Sequence, residues 1–292
     1  IIYCSQENIK YFLRQGIIVL MSVLLTGSSG FIGKNLLMEL GNGKTKVTLI
    51  GRKQHEKHKT FICDFLKDNI PEIAFDNIQT VIHLAGCAHD TDKKILNDFY
   101  FKLNTEIVID LAKISIAKKF KNFIFISSVK AENPLDIYGV SKKKAEDKLI
   151  KLSKNSNMKI IIIRPALVYG RQVKGNLKSM IRGIDAGWFP PLPETNNKKS
   201  MIHVDDLVSA ILFLNGKDNL KGNFFTVTDG KFYSSAEIYN ILCTVLEKKI
   251  PKWRVPKLFF DTISFFFPFI KNKIEKLLGN DFYNSKELES LG

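Results

Sequence analysis

The amino-acid sequence predicts an α/β protein built on a doubly wound parallel sheet. Short apolar runs, typical of strands buried on both faces, alternate with longer amphipathic stretches over roughly the first 165 residues. A glycine-rich turn follows the first apolar run and opens the first amphipathic stretch. The alternation weakens from about residue 171. Further along, a cluster of prolines at residues 190–193 indicates a loop. This later part is predicted to form a smaller α+β lobe.

Composition and charge restrict the class of protein. The chain has 292 residues, of which 45% are hydrophobic and 25% are charged, as in soluble globular proteins. The formal net charge is +15, from 44 basic and 29 acidic residues. Because the lysines are spread along the chain among acids, and no nucleic-acid-binding motif is present, we expect no nucleic-acid partner. A basic surface that attracts an anionic substrate remains the functional alternative.

The four cysteines show neither a CxxC motif nor the spacing of a zinc site. They predict no metal centre and suit the reducing cytoplasm. No apolar run is long enough to span a membrane. The apolar stretch at residues 258–267 is interrupted by Asp261, and it predicts a buried helix of the lobe or a subunit contact rather than a membrane anchor.

The glycine-rich turn is the most informative stretch. The apolar run Val23-Leu24-Leu25 precedes Thr-Gly-Ser-Ser-Gly-Phe-Ile-Gly at residues 26–33, and residues 34–40 continue as a helix. Glycines let the backbone approach phosphates, and a helix N-terminus favours negative charge. The turn therefore predicts a site for a dinucleotide pyrophosphate. Its glycines are spaced Gly-x-x-Gly-x-x-Gly rather than Gly-x-Gly-x-x-Gly, and such spacing alone also fits an ordinary turn.

The second strand, at residues 46–50, bears on cofactor choice. It ends Gly51-Arg52-Lys53, whereas enzymes that prefer NAD place an acid there to bond the ribose 2′-hydroxyl. Two basic residues beside the ribose would suit a 2′-phosphate, so the sequence favours NADP over NAD. The alternative is that both side chains are simply solvated at a strand end.

The remaining elements follow in chain order. Strands are predicted at residues 61–64, 81–86, 122–128 and 159–163, with helices at 97–119 and 138–155. In the lobe we expect helices at residues 205–214 and 235–248, the latter capped by Ser234, and a strand at 224–228. The helix at 138–155 carries Tyr138 and Lys142 one turn apart on the same face.

Three motifs taken together resemble those of a known family. They are the turn at residues 26–33, the pair Ser127-Ser128 at the end of a strand, and Tyr138-x-x-x-Lys142. In this order they resemble the extended short-chain dehydrogenase/reductases, and within them the NAD-dependent epimerase/dehydratase branch that acts on nucleotide sugars. The resemblance runs from about Met21 to the end.

The resemblance implies a Rossmann domain at residues 21–170 and a substrate-binding lobe mainly at 171–292. Residues 1–20 would then be an extension that need not be native. The phrase at residues 284–292 stops where relatives continue with a Trp, so the chain is expected to be cut short there.

The resemblance also implies a set of site residues. The expected catalytic residues are Ser128, Tyr138 and Lys142. The expected contacts to NAD or NADP are Gly27, Ser29, Gly30, Phe31, Ile32, Gly33, Arg52, Asp64, Phe65, Leu84, Ala85, Gly86, Asn104, Ser127, Tyr138, Lys142 and Pro165. The expected substrate contacts are Ser128, Asn176 and Lys199, with Arg171 and Arg182 as further candidates for a phosphate. Asp64 also fits a simple turn, Asn104 a solvent-facing helix position, and His83 is expected to be a strand residue rather than an acid or base.

The chemistry expected of these residues is hydride transfer. A hydride leaves a carbinol carbon only if the hydroxyl proton also leaves, and free tyrosine, with a pKa of about 10, is a poor base at neutral pH. Lys142 and an oxidised nicotinamide are expected to lower the pKa of Tyr138. Ser128 would hold the substrate oxygen, and Ser127 is the neighbour that could replace it.

Several functions share this apparatus. An epimerase would oxidise and re-reduce C4 of a UDP-hexose or UDP-N-acetylhexosamine, in surface polysaccharide or O-antigen precursor synthesis. An NADPH-dependent reductase of a UDP-4-keto sugar is the first alternative, and a silent NADPH-binding regulator is the second. The loop at residues 129–137 is shorter than usual for nucleotide-sugar epimerases, which leaves sugar specificity open. A homodimer formed by the helices at 97–119 and 138–155 is expected.

Overall fold

The structure is a computed structural model that describes residues 22–43, 45–88 and 96–291. The predicted extension at residues 1–20 lies outside the described residues. Contacts along the chain divide it into two compact units. The sheet unit comprises residues 22–165, 204–227 and 285–291, and the small unit comprises residues 166–203 and 228–284.

The sheet unit contains a parallel sheet of seven strands in the order β3-β2-β1-β4-β5-β6-β9. The strands are β1 (Ser22–Thr26), β2 (Lys46–Gly51), β3 (Lys59–Ile62), β4 (Thr80–His83), β5 (Asn122–Ile126), β6 (Lys159–Pro165) and β9 (Phe224–Val227). Their residues are almost all buried in β1, β4, β5 and β6, and four consecutive isoleucines in β6 suit a strand covered on both faces. The predicted doubly wound α/β sheet is confirmed.

Helices connect these strands. They are α1 (Phe31–Gly41), α2 (Leu96–Phe101), α3 (Ile107–Ala117), α4 (Ile137–Ser153), α6 (Val204–Gly216) and the short α10 (Lys286–Glu289). A π-helical turn, Lys102–Glu106, joins α2 to α3. The helix predicted as continuous over residues 97–119 is therefore interrupted.

Strand order reverses between β1 and β4. The chain runs outward from β1 through β2 to β3, and then returns to place β4 on the other side of β1. The chain therefore leaves the carboxyl ends of β1 and β4 in opposite directions. In open α/β sheets, such a pair of neighbouring strand ends forms a crevice in which ligands bind. Thr26 and Gly27 lie at this point on one side, and Leu84 and Ala85 on the other.

The small unit contains a three-stranded sheet and four helices. Its strands are β7 (Leu167–Tyr169), β8 (Lys199–His203) and β10 (Phe232–Tyr233), and its helices are α5 (Gly175–Asp185), α7 (Ser235–Val245), α8 (Lys257–Phe266) and α9 (Pro268–Leu278). Ser234 and Glu237 form a capping box at the start of α7, as the predicted Ser234 cap requires. The core of this unit includes Met180, Leu192, Tyr239 and Phe260.

Two predictions about the later part of the chain need correction. The predicted division at residue 170 overlooks that residues 204–227 return to the sheet unit, because β9 pairs in register with β6 and α6 packs on the same sheet. The stretch at residues 258–267 does form a helix, but most of its apolar side chains are exposed, so it is not a buried helix of the lobe; the alternative of a subunit contact stays a prediction. Among the described residues, no helix combines the length and apolarity needed to cross a membrane.

Candidate active site

The turn after β1 brings the backbone of three segments into close contact. Gly27 has a φ of +75°, and a Cβ there would lie 2.5 Å from the Ala85 nitrogen. A Cβ on Gly33 would lie 2.1 Å from the carbonyl oxygen of Gly27. Neither distance is compatible with a side chain, so both positions require glycine. Gly30 is the N-cap of α1 and brings no side chain to its first turn, so backbone N–H groups there are available to a phosphate.

The exit of β4 is tied to this turn by a buried polar pair. Thr26 Oγ1 lies 2.8 Å from His83 Nδ1, and it also accepts a hydrogen bond from the Ala85 nitrogen at 3.3 Å. Burial, followed by the charge of Lys142, lowers the pKa of His83 to about 3. A fully buried, neutral imidazole in the strand acts as a support for the turn. Its placement in β4 agrees with the predicted strand role.

Asn104 lies in the π-helical turn and is completely buried. Its amide donates to the Cys87 carbonyl and to the Ser141 hydroxyl, both at 3.0 Å, while its Oδ1 accepts from the Cys87 nitrogen at 2.9 Å. The alternative of a solvent-facing helix residue is therefore wrong. The side chain joins the segment after β4 to α4, and π-helical turns of this kind are frequent at functional sites.

Ser128 and Tyr138 lie together. Ser128 follows β5, and its side chain lies close enough to the Tyr138 hydroxyl to lower the pKa of the phenol. The intervening segment is held in place at both ends, because Ser128 Oγ accepts from the Lys130 nitrogen at 3.3 Å and Asp136 caps α4 by accepting from Gly139. The Ser127 hydroxyl, in contrast, is turned away and donates to the carboxylate of buried Glu146 at 2.6 Å.

Gly139 is what allows α4 to approach this segment. A Cβ there would lie 2.6 Å from the carbonyl oxygen of Lys130. Because any side chain would push the first turn of α4 away, the glycine in Tyr-Gly-Val-Ser-Lys keeps Tyr138 within reach of Ser128. The sequence contained this glycine, but its role follows from the packing of the loop.

Lys142 is buried one turn beyond Tyr138. Its ammonium donates to the Ile126 carbonyl at 2.9 Å and lies 4.5 Å from the centre of the Phe125 ring. Burial lowers the pKa of Lys142 to about 8, and the carboxylate of Glu146 acts in the opposite direction. A cation held beneath the sheet edge in this way is preorganised, since it needs no further desolvation when a ligand binds.

The pKa of Tyr138 differs from the prediction. Burial raises it to about 12, the hydrogen bond from Ser128 lowers it, and the nearby Asp136 charge raises it further. The protein's own charges therefore do not supply the lowering expected from Lys142, because desolvation outweighs the favourable contacts. The prediction named two positive charges that would lower the pKa of Tyr138, Lys142 and the oxidised nicotinamide. The effect of the nicotinamide stays a prediction.

The other predicted cofactor contacts lie along the same edge of the sheet unit. Arg52 directly follows β2 and is exposed, as is Gly86 beyond β4. Asp64 follows β3, where its Oδ1 accepts from the Leu66 nitrogen at 3.2 Å and its carbonyl closes a turn. The turn-forming role of Asp64 is thus present. Pro165 is the last residue of β6 and is buried.

A buried ion pair supports the site and was not predicted. Glu146, which has no exposed side-chain area, accepts from Arg164 Nε at 3.0 Å and from Arg164 Nη2 at 2.7 Å, besides the bond from Ser127. This pair joins α4 to β6, and the bond from Ser127 ties the residue after β5 to it. Nothing in the sequence singled out Glu146, since it lies among several charged residues of a lysine-rich helix; its position four residues after Lys142 is the one signal that would have indicated the same face.

A dinucleotide fits these features. The turn at Gly27 and Gly33 has no room for a Cβ, a helix N-terminus opens beside it, and the strands on both sides of the switch point end there. A family model described as the NAD dependent epimerase/dehydratase family matches residues 23–227.

The chain belongs to the NAD-dependent epimerase/dehydratase family.

Relatives of known name agree with this family. A "UDP-glucose 4-epimerase" of Vibrio cholerae is 34% identical over 261 residues, which are 80% of this chain and 78% of the relative. A protein of Escherichia coli O157:H7 is 25% identical over 252 residues, 80% of this chain and 75% of that one. It is named "N-acetyl-alpha-D-glucosaminyl-diphospho-ditrans,octacis-undecaprenol 4-epimerase". The fold is similar to that of the UDP-glucuronic acid 4-epimerase of Bacillus cereus, with a TM-score of 0.71 and 20% identity over 80% of this chain and 87% of that one.

Membership confirms two predictions. The family inferred from the three motifs is correct, and the protein is an NAD(P)-dependent sugar-nucleotide epimerase or oxidoreductase of the extended short-chain dehydrogenase/reductase class. The family match ends at residue 227, the last residue of β9, so it covers residues 23–165 and 204–227 of the sheet unit and residues 166–203 of the small unit.

Of the predicted substrate contacts, Ser128 lies in the sheet unit, whereas Asn176 and Lys199 lie in the small unit and differ in exposure. Asn176 is exposed in the first turn of α5, and Arg171 and Arg182 are exposed as well. Lys199 is buried in β8, where its ammonium donates to the Lys276 carbonyl at 2.9 Å. A phosphate contact by Lys199 stays a prediction.

Proposed function

We propose that the protein interconverts the two configurations at C4 of a UDP-hexose or UDP-N-acetylhexosamine. The observation that carries this proposal is that Ser128 lies beside the hydroxyl of Tyr138 and the buried ammonium of Lys142 lies one turn away, on the edge of the sheet where the glycine turn lies. The similarity to the Vibrio cholerae epimerase supports C4 of a UDP-sugar as the reacting position.

The dinucleotide would be held by the chain's own backbone and by few side chains. The turn at residues 27–33 would bind the pyrophosphate, Arg52 and Asp64 would lie on the adenosine side, and Ala85 and Asn104 on the nicotinamide side. When bound, NAD(P) supplies the acceptor for a hydride and later its donor. Because Gly27 and Gly33 have no Cβ, the backbone of the turn could lie close to the phosphates.

The residues of the site perform the proton transfers. Tyr138 takes the proton of the C4 hydroxyl as the C4–H bond breaks and the C4=O bond forms. Ser128 donates a hydrogen bond to that oxygen, and Lys142 stabilises the tyrosinate electrostatically. After the 4-keto sugar has turned its other face to the site, Tyr138 returns the proton as hydride adds to C4. The product is the C4 epimer.

A 4-keto-sugar reductase is the second candidate, and a specific observation favours it. Arg52 is exposed directly after β2, and no acidic residue accompanies it at the strand end. A guanidinium beside the ribose suits the 2′-phosphate of NADP. In that case NADPH would be a consumed cosubstrate, and Tyr138 would serve as the acid alone.

The diphosphate of the UDP moiety would meet Asn176 and Lys199 of the small unit. A sugar on a polyprenol diphosphate, as in the name of the Escherichia coli relative, is a second substrate class, favoured by the apolar residues exposed on α8. Activity on either class would place the protein in the cytoplasm, in the synthesis of surface polysaccharide or O-antigen precursors. We also propose a homodimer formed by α3 and α4; a single-chain mass in light scattering at micromolar concentration would contradict it.

The test begins with the protein as purified. It is denatured, any released dinucleotide is identified by mass, and the native protein is then assayed for interconversion of UDP-glucose with UDP-galactose and of UDP-N-acetylglucosamine with UDP-N-acetylgalactosamine. Y138F is the matched control, because it removes one hydroxyl and leaves the ring in place.

The outcomes separate the candidates. Tightly held NAD together with epimerisation that Y138F abolishes supports the epimerase. No retained cofactor, a preference for NADPH over NADH and reduction of a UDP-4-keto sugar support the reductase. Failure to bind either dinucleotide would refute both the epimerase and the reductase. It would also refute the alternative of a silent NADPH-binding regulator.

A further inference from the structure

Helix α8 of the small unit has an apolar face that points away from the core of that unit. Leu258, Phe259, Phe265 and Phe266 occupy positions i, i+1, i+7 and i+8, and therefore share one face of the helix with Thr262 between them. Their exposed fractions are 74%, 53%, 80% and 69%. A single core residue, Phe260, faces the opposite way and is 7% exposed.

The exposed apolar side chains of α8 are grouped together and not scattered singly over the surface. Four large side chains share one face of a single helix, and the rings of Phe265 and Phe266 contact each other edge to face at 5.4 Å. Trp253, which lies shortly before α8, is 62% exposed. Contiguous apolar patches of this kind on a monomer mark interaction sites. We call the four residues of α8 the phenyl face.

The residues around the phenyl face are strongly basic. Residues 248–278 contain eight cations, at positions 248, 249, 252, 254, 257, 271, 273 and 276, against two acids, Asp261 and Glu275. The segment therefore carries a net charge of 8 − 2 = +6. Of its cations, Lys248 and Arg254 pair with Asp185 and Glu194 outside the segment. Lys252 and Lys257 flank Trp253 and are both exposed. An apolar helix face bordered by lysines and a tryptophan matches the composition of helices that lie in the plane of a membrane interface.

Charge decides which occupant this surface suits. A second copy of the chain would bring the same excess of lysines to the contact, and like charges placed across an interface oppose association. An anionic lipid surface has the complementary sign, and its acyl region would accept the phenyl face while lysine heads remain at the phosphates. No helix of the described residues is able to cross a membrane, so the contact would be peripheral.

We propose that residues 248–278 dock the protein on a membrane surface containing anionic phospholipids, with the phenyl face inserted at the interface. The docking goes beyond the proposed enzymatic function and does not depend on which sugar the enzyme takes.

The experiment is co-sedimentation of the full chain with vesicles of phosphatidylcholine alone, or of phosphatidylcholine with about a third of phosphatidylglycerol. We expect binding to the anionic vesicles, weakened by salt. The variant F265S/F266S should lose at least about tenfold in partitioning, since two apolar rings no longer leave water. Both residues are on the surface, so the change creates no cavity. M38S/I73S is the matched control, because it removes two residues of the sheet unit that are each 63% exposed.

A second measurement reports the position of the segment. The chain has two tryptophans, so W188F leaves Trp253 as the single tryptophan, which is excited selectively at about 295 nm or longer wavelength. Its emission should shift to shorter wavelength with anionic vesicles and not with neutral ones, and K252E/K257E should abolish the shift. Neither measurement requires activity, so an inactive enzyme would leave this result readable.

Three outcomes would overturn the proposal. They are absence of binding to anionic vesicles, equal loss with M38S/I73S, and self-association that F265S/F266S abolishes while no vesicle binding is seen. The last result would assign the phenyl face to a second copy.

Discussion

Replacing Lys142 by methionine should change how stability depends on pH. In the folded protein, burial lowers the pKa of Lys142 from 10.5 to about 8, and the side chain is 4% exposed. In the unfolded chain the same group is solvated and keeps its ordinary pKa. Converted at about 1.4 kcal/mol per pKa unit, the difference means that the buried ammonium destabilises the fold by about 3 kcal/mol at pH values below 8.

The sign of the pH dependence follows from proton binding. Between pH 8 and pH 10.5 the unfolded chain holds a proton on Lys142 that the folded protein has released, so the free energy of unfolding rises with pH in this window. From pH 7 to pH 9.5 this one group should add about 2 kcal/mol to the stability of the wild type. K142M lacks the group, and all other titrating groups are common to both proteins.

The assay is urea unfolding of the wild type and K142M at pH 7 and pH 9.5, followed by far-ultraviolet circular dichroism. The wild-type free energy of unfolding minus that of K142M should increase by about 2 kcal/mol between the two pH values. The carbonyl of Ile126 loses its donor in the variant at both pH values, so that loss cancels in the comparison. An unchanged difference would show that Lys142 keeps an ordinary pKa, and would refute the argument that it is held as a desolvated cation.

Three further predictions concern the same unit. Y138F should lower the turnover rate by about 10²–10⁴-fold while dinucleotide binding stays intact, as measured by fluorescence titration; comparable activity would remove tyrosine as the acid and base. G33A should abolish dinucleotide binding, because its Cβ would lie 2.1 Å from a backbone oxygen, whereas G216A, with nothing within 4 Å, should bind normally. E146Q should lower the free energy of unfolding by about 3 kcal/mol because a nearly buried guanidinium loses its charged partner. D147N, in an exposed pair, should lower it by less than about 1 kcal/mol, and equal losses would contradict the reasoning.

Features that depend on local pattern were predictable from the sequence. The strand, turn and helix around Gly27, Gly30 and Gly33 were predicted because glycine spacing and apolar runs act over a few residues. The helix carrying Tyr138 and Lys142 followed from periodicity for the same reason. The bounds shifted at the ends, as for β3, which ends at Ile62 rather than residue 64, because strand ends depend on the pairing partner.

The tertiary structure decided what depends on distant neighbours. Asn104 is buried because a π-helical turn directs it at Ser141 and the segment after β4, and periodicity cannot reveal an extra residue in a helical turn. Glu146 acquires its role from Arg164, which is 18 residues away in another element.

The pKa of Tyr138 and the exposure of the phenyl face have the same origin. The sequence supplies which side chains are ionisable and which are apolar, and it predicted both a functional tyrosine and an apolar helix at residues 258–267. Whether a phenol is desolvated more than it is stabilised, or a phenylalanine faces the core or the solvent, depends on what the rest of the fold packs against each side. Burial is a property of the assembled chain, so the tertiary structure alone determined these features.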